Sequence, residues 1–210
     1  KWMKMLTKQI KRPNGMIITT GPTGSGKTTT LYAVLNELNS SETKIITVED
    51  PIEYELKGVN QSQVDAKRGY TFDKGLRSIV RQDPDVIMVG EMRDLETVDI
   101  ALNAALTGHL VLSTLHTNDA AGAVPRFLAM GAKPYLLAPA LNLVMAQRLI
   151  RKLCQKCKKP TELKPEIREK VRQMIENLPE EDKQTIDISQ TQFYEATGCG
   201  ECNDLGYKGR

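Results

Sequence analysis

The chain has 210 residues, 40% of them apolar and 26% charged, with a formal net charge of +3 from 29 basic and 26 acidic side chains. That length suits one large domain, or one domain with a small appendage, and buries a core without covalent staples. The composition excludes disorder along the whole chain. The near balance of charge gives no ground for nucleic acid or an anionic membrane as partner. The 5% aromatic content disfavours a single-strand nucleic-acid platform of stacked rings. No run of about 18 apolar residues occurs, so no transmembrane helix is expected. The opening residues, Lys1 to Leu6, lack the apolar core and cleavage site of a signal peptide. Because the chain starts on lysine, it is expected to be a piece of a longer protein.

Residues 1–150 alternate short aliphatic runs with helical patterns and Gly-rich turns, which predicts an α/β domain with a predominantly parallel sheet covered by helices. The expected strands are Met16–Thr20, Lys44–Glu49, Val86–Gly90 and Leu110–Thr114, each nearly continuous in apolarity as buried parallel strands are. The expected helices are Lys27–Asn39, Phe72–Gln82, Leu95–Leu106, Ala120–Met130 and Pro139–Arg151. Residues 151–210 differ in character. They are expected to form a small satellite module, with a helix over Pro165–Leu178 and a charged connector from Leu178 to Lys183.

Gly21, Pro22, Thr23, Gly24, Ser25, Gly26, Lys27 and Thr28 match the phosphate-loop pattern G-x-x-x-x-G-K-[ST], between a strand and a helix as that motif requires. The glycines let backbone N–H groups turn inward around phosphates. Lys27 brings a mobile positive charge to the outer phosphates and Thr28 a hydroxyl for Mg²⁺. The following helix, which starts with Lys27, Thr28 and Thr29, aims its positive end at the anion. The motif predicts nucleoside triphosphate binding; what that binding drives is left open.

Three further segments fall at strand ends, where ligand chemistry gathers in open α/β sheets. Glu91 closes the third strand and is the candidate general base for hydrolysis. Glu49 ends the second and is a candidate for the same work or for holding Mg²⁺ through water. His116 follows the fourth, as a candidate reporter of the γ-phosphate to a neighbouring subunit or an ordinary satisfied polar group. Arg77 and Arg81 lie four apart on one helix face, and with Arg93 they flank the third strand. They either neutralise transition-state charge or line a solvated face paired with Asp83 or Asp85.

The four cysteines form two C-x-x-C pairs, Cys154/Cys157 and Cys199/Cys202, with 41 residues between the pairs. Two such bites give the tetrahedral Cys₄ set of a closed structural Zn²⁺ site. One zinc per chain is expected. The alternatives are disulfides, unrelated buried cysteines or an iron–sulfur cluster.

On these residues the chain resembles the C-terminal motor domain of the secretion ATPase superfamily, which includes type II secretion ATPases and type IV pilus motors. The resemblance rests on the phosphate loop Gly21–Thr28, the acidic box Ile46–Tyr54, the segment Leu76–Asp94 and the histidine box Gly108–Asp119. It implies a RecA-like core working as a homo-hexamer that hydrolyses ATP with Mg²⁺. Glu91 is then the catalytic glutamate, Glu49 a supporting acid and His116 the histidine-box residue. Arg77, Arg81 and Arg93 match arginines important for activity. It also implies a preceding nucleotide-closing domain outside residues 1–210, so weak ATPase activity is expected of this piece alone. The tetracysteine segment resembles that of secretion and pilus-extension motors rather than retraction motors. The implied setting is the cytoplasmic face of the inner membrane. The implied partners are a platform protein and a membrane-recruiting protein of a pilus or secretion machine, with no direct nucleic acid. A nucleic-acid-translocating RecA-like ATPase and a non-hydrolytic, nucleotide-gated zinc scaffold are the rival readings.

Overall fold

The computed structural model describes residues 2–178, 180–183, 186–188 and 191–210. The chain divides into two compact units, Trp2–Arg148 and Leu149–Arg210. Pro179, in the expected connector, lies outside the described residues.

The larger unit is built on six strands: β1 (Gly15–Thr20), β2 (Ile45–Glu49), β3 (Asn60–Gln63), β4 (Val86–Val89), β5 (Leu110–Leu115) and β6 (Leu141–Ala146). They form one sheet in the order β3-β2-β4-β5-β1-β6, and every neighbouring pair is parallel. Every residue of β1, β2, β4 and β5 is buried, which is why these strands read as nearly continuous apolar runs. The sheet is covered on both faces. On one, Ile18, Val48, Ile87, Val89 and Val111 pack with residues of α3 (Phe72–Val80), α4 (Leu95–Leu106), α5 (Ala123–Ala129) and α6 (Pro134–Ala140). On the other, Ile17, Ile45, Met88 and Leu112 pack with Leu31, Tyr32, Val34 and Leu35 of α2 (Lys27–Leu38) and Ile10 of α1 (Trp2–Ile10). Each large aliphatic side chain so buried contributes about 1.5–3 kcal/mol.

The expected helix Pro139–Arg151 is not formed. Helix α6 stops at Ala140, one residue beyond Pro139, and Leu141–Ala146 pairs with β1 as an edge strand. Leu, Met and Ala favour helix locally, but here the open edge of β1 supplies a full ladder of partners. The pairing steps from Met16↔Leu141 to Ile17↔Leu143, so Asn142 is an extra residue. That bulge puts Leu141 and Val144 on one face, and Leu143 and Met145 on the other. It hides the simple alternation of a strand from the sequence. Strand β3, Asn-Gln-Ser-Gln, carries no apolar signal at all and was not expected. Helix α3 ends at Val80 with Arg81 as its cap, shorter than the expected Phe72–Gln82.

In the smaller unit β7 (Lys159–Thr161) pairs antiparallel with β8 (Phe193–Glu195), and α7 (Pro165–Glu176) lies between them in the chain. A short helix, α8, covers Glu180–Lys183. Helix α7 has no buried residue. Among the described residues of this unit only Cys154, Cys202 and Gly206 are buried.

Candidate functional site

The phosphate loop connects β1 to α2. Gly21 has φ +146°, and a Cβ there would lie 2.3 Å from the carbonyl oxygen of Gln147, so only glycine fits. Gly26, at φ +84°, turns the chain into α2. Lys27 is 8% exposed, and its Nζ donates to the carbonyl oxygens of Gly21 and Pro22 at 3.0 Å each. Burial lowers its pKa, and the charge of Glu91 pulls it partly back. The Ser25 hydroxyl is buried without a hydrogen-bond partner, a free donor within the phosphate loop.

Next to the loop, Thr28, Leu31, Glu49, Asp50, Glu53, Met88, Glu91 and Thr114 line a single cleft. The strand ends explain the convergence: β2, β4 and β5 are neighbours in parallel, so their C-terminal residues emerge side by side. Hydrogen bonds to its backbone pin the turn after β4. Gly90 N–H donates to Val48 O at 2.8 Å, Thr114 Oγ1 to Gly90 O at 2.8 Å, and Met92 N–H to Thr114 O at 3.2 Å. Glu91 is therefore held between two anchored neighbours. Its carboxylate pairs with Arg93 Nη2 through Oε1 and lies 3.5 Å from His116 Nε2 through Oε2. The hydrogen bond that Arg93 donates to Glu91 raises the pKa of Arg93.

Glu49 is placed differently from Glu91. It is buried, and its carboxylate accepts from Tyr32 Oη, from Thr47 Oγ1 at 2.6 Å and from Gln61 Nε2 at 3.0 Å. Burial and the bond to Glu49 both raise the pKa of Tyr32. Gln61 comes from the polar edge strand β3. It also accepts from Leu56 N–H at 2.6 Å, so it braces the acidic loop as well.

Sequence reasoning missed Tyr32, Gln61, Thr20 and Gln147. Thr20, the last residue of β1, accepts from Thr117 N–H at 2.9 Å and shares a 2.6 Å contact with the Thr117 hydroxyl. That joins the phosphate-loop strand to the segment carrying His116. Arg77 and Arg81 are exposed, and neither is among the residues lining the cleft. The structure thus brings together Lys27, Thr28, Glu49, Glu91, Arg93 and His116, and leaves Arg77 and Arg81 outside.

In the smaller unit the four cysteine Sγ atoms all lie within 4.8 Å of one another, and all four thiols are free. Three Sγ pairs are 3.8–4.0 Å apart. A tetrahedral Zn²⁺ with bonds of about 2.3 Å needs sulfurs about 3.8 Å apart, so the donor set fits zinc. Burial pushes the Cys199 thiol up to about 11. For Cys202 burial is outweighed by the N–H groups of Cys199 and Gly206, at 3.3 and 3.2 Å, which bring it to about 7.

The family model described as "Type II/IV secretion system protein" matches residues 1–210. The chain is 56% identical over 201 residues to the type II secretion system ATPase E of Vibrio cholerae, covering 96% of this chain and 38% of that protein. It is 52% identical over 209 residues to the type IV pilus assembly ATPase PilB of Myxococcus xanthus, covering 100% and 35%. Among solved structures, the pilus retraction motor PilT with bound ADP superposes with a TM-score of 0.66 at 43% identity, over 71% of this chain and 47% of that one. The VirB11 ATPase of the Brucella suis type IV secretion system gives a TM-score of 0.58 at 27% identity, over 69% and 46%. The chain thus spans 35–38% of the length of these curated relatives and just under half of the solved chains.

Proposed function

Since the chain belongs to the type II/IV secretion system protein family, we propose that it is the ATP-hydrolysing core of a hexameric motor that powers type II secretion or type IV pilus assembly. The observation that carries this reading is the single cleft in which Thr28 of the phosphate loop faces Glu91. The inward N–H groups of the loop and Lys27 hold the phosphates of ATP. To reach the outer phosphates, Lys27 exchanges its carbonyl partners, Gly21 and Pro22, for phosphate oxygens. Mg²⁺, when bound, supplies charge neutralisation on those oxygens. Thr28 would hold it, with the exposed carboxylates of Asp50 and Glu53 beside it. Glu49, with both carboxylate oxygens already hydrogen-bonded, supports the cleft wall.

Glu91 orients a water molecule towards the γ-phosphorus and accepts its proton as the new P–O bond forms and the bond to the ADP oxygen breaks. To act it parts from Arg93, which leaves that guanidinium free to face the developing charge on phosphate. His116, on the other oxygen of Glu91, senses the same event and is tied to the phosphate-loop strand through Thr117 and Thr20. Arg77 and Arg81 are free to serve at a contact with a neighbouring copy.

The tetracysteine site takes one structural Zn²⁺. The motor works at the cytoplasmic face of the inner membrane with a membrane-embedded platform and a recruiting protein. Among the described residues no helix is long and apolar enough to cross a membrane. Glu91→Gln tests the hydrolytic reading: ATP binding is retained and phosphate release falls at least about a hundredfold. Retained hydrolysis would overturn it. Unchanged secretion or piliation without hydrolysis would favour a nucleotide-gated scaffold instead.

A further inference from the structure

Gln147, the first residue after β6, touches the phosphate loop at both of its ends. Its N–H donates to Thr20 O at 2.8 Å, where β1 enters the loop. Its carbonyl oxygen lies where a side chain on Gly21 would have to stand, 2.3 Å from the position of a Cβ. At the other end its side-chain Nε2 donates to Gly26 O at 3.3 Å, and its Oε1 accepts from Thr30 Oγ1 at 2.8 Å. Gly26 O also accepts the Thr30 N–H at 3.0 Å, so both anchored positions belong to the first turn of α2.

Lys27 and Thr28 lie between those anchors. Their backbone positions follow from where Gly26 and Thr30 are held. A side chain that fixes 26 and 30 therefore sets the direction in which the lysine and the threonine hydroxyl leave the helix. The amide suits this task. It offers one donor and one acceptor on a planar group, and the two partners here are one acceptor and one donor. Gln147 is half-buried, so the exchange with water is incomplete and each bond retains its net contribution.

We infer that Gln147 is a positioning residue for nucleotide binding: its amide clamps Gly26 to Thr30 and so orients Lys27 and Thr28 for the phosphates. The inference rests on the reading of the phosphate loop as the nucleotide site.

The test measures ADP binding by calorimetry and ATP turnover on the protein at its natural length, in Mg²⁺ buffer. Lys27→Ala serves as the control. Gln147→Leu is expected to raise the Kd for ADP and the KM for ATP about tenfold, from two lost hydrogen bonds. Its kcat stays within about threefold, because the clamp acts on bound ground state and transition state alike. Thr30→Val alone weakens ADP binding about threefold and adds nothing on top of Gln147→Leu. The ligand-free melting temperature falls by a few degrees for the two lost bonds, and the rise caused by ADP shrinks in addition. If Gln147→Leu does not fold, Gln147→Glu replaces it. That variant keeps the length and the acceptor for Thr30 but presents an acceptor to Gly26 O, and about fivefold weaker ADP binding is expected. Unchanged ADP affinity in the variant used, or fully additive losses with Thr30→Val, overturns the clamp while the nucleotide-site reading stands. Unchanged affinity in Lys27→Ala overturns that reading itself.

Discussion

Glu49 and Glu91 stand at the ends of neighbouring strands, yet their surroundings assign them different work. Glu91 is partly exposed and pairs with the Arg93 guanidinium through one oxygen and meets the His116 ring through the other. Glu49 is buried under three neutral donors from three separate elements. Removing one of those donors leaves a buried carboxylate short of a bond. Tyr32→Phe, which changes no packing volume, is therefore expected to lower unfolding free energy by about 1–3 kcal/mol in urea titrations. An unchanged urea midpoint would show that Glu49 has water or another donor in place of Tyr32. From the sequence, the acid types and their strand-end positions were legible. Their partners were not, because Tyr32 and Gln61 lie 17 and 12 residues from Glu49 and come together only through folding.

Among the elements, the edge strand β6 is where local sequence and tertiary structure disagree most. Its bulge at Asn142 is met by Gly15, whose φ is +113° and whose Cβ would lie 2.0 Å from the Asn142 amide nitrogen. That amide donates to Asn14 O at 2.8 Å, so it has no free room to retreat. Gly15→Ala is expected to destabilise by about 2–4 kcal/mol, combining strained backbone with overpacking. Adding Asn142→Ala should return part of the loss, as read from paired denaturation curves. No return would place the cost entirely in the backbone. The four central strands were readable because each residue in them is buried and each segment is mostly aliphatic. Strand β3 was not, because its four polar residues are held by backbone pairing with β2 and by side-chain bonds such as Ser62 to Thr47 O at 2.6 Å.

At the scale of the whole molecule, the two units are held by different forces. Residues 2–148 have a continuous apolar core on each face of the sheet. In residues 149–210 the only buried side chains described are two of the cysteines, too little apolar burial to order a chain of that length. A zinc chelator is expected to abolish the protection of 149–210 against proteolysis and hydrogen exchange while 2–148 stays protected. An intact 149–210 after complete metal removal would refute the structural role. Zinc affinity should also fall as the pH falls, since the thiolate is the ligand and protons compete with the metal for each sulfur, most strongly at Cys199, whose thiol burial pushes up to about 11. A zinc-release titration with a coloured chelator reads this directly. On the proposal that the exposed Arg77 and Arg81 act at a contact with a neighbouring copy, ATPase activity per chain is expected to rise with protein concentration. Activity independent of concentration across the range where the ring assembles would remove that role. The sequence by itself determined the phosphate loop, the four central strands, the cysteine pairs and the acids at the ends of β2 and β4, because these are set by local geometry or by uniform burial. Only the tertiary structure decided that residues 141–146 are a strand, that Glu49 is a braced wall residue, that Arg77 and Arg81 stand outside the cleft, and that Gln147 grips the loop from the sheet edge. Each of these depends on which element lies alongside, a long-range fact that neither propensity nor periodicity carries.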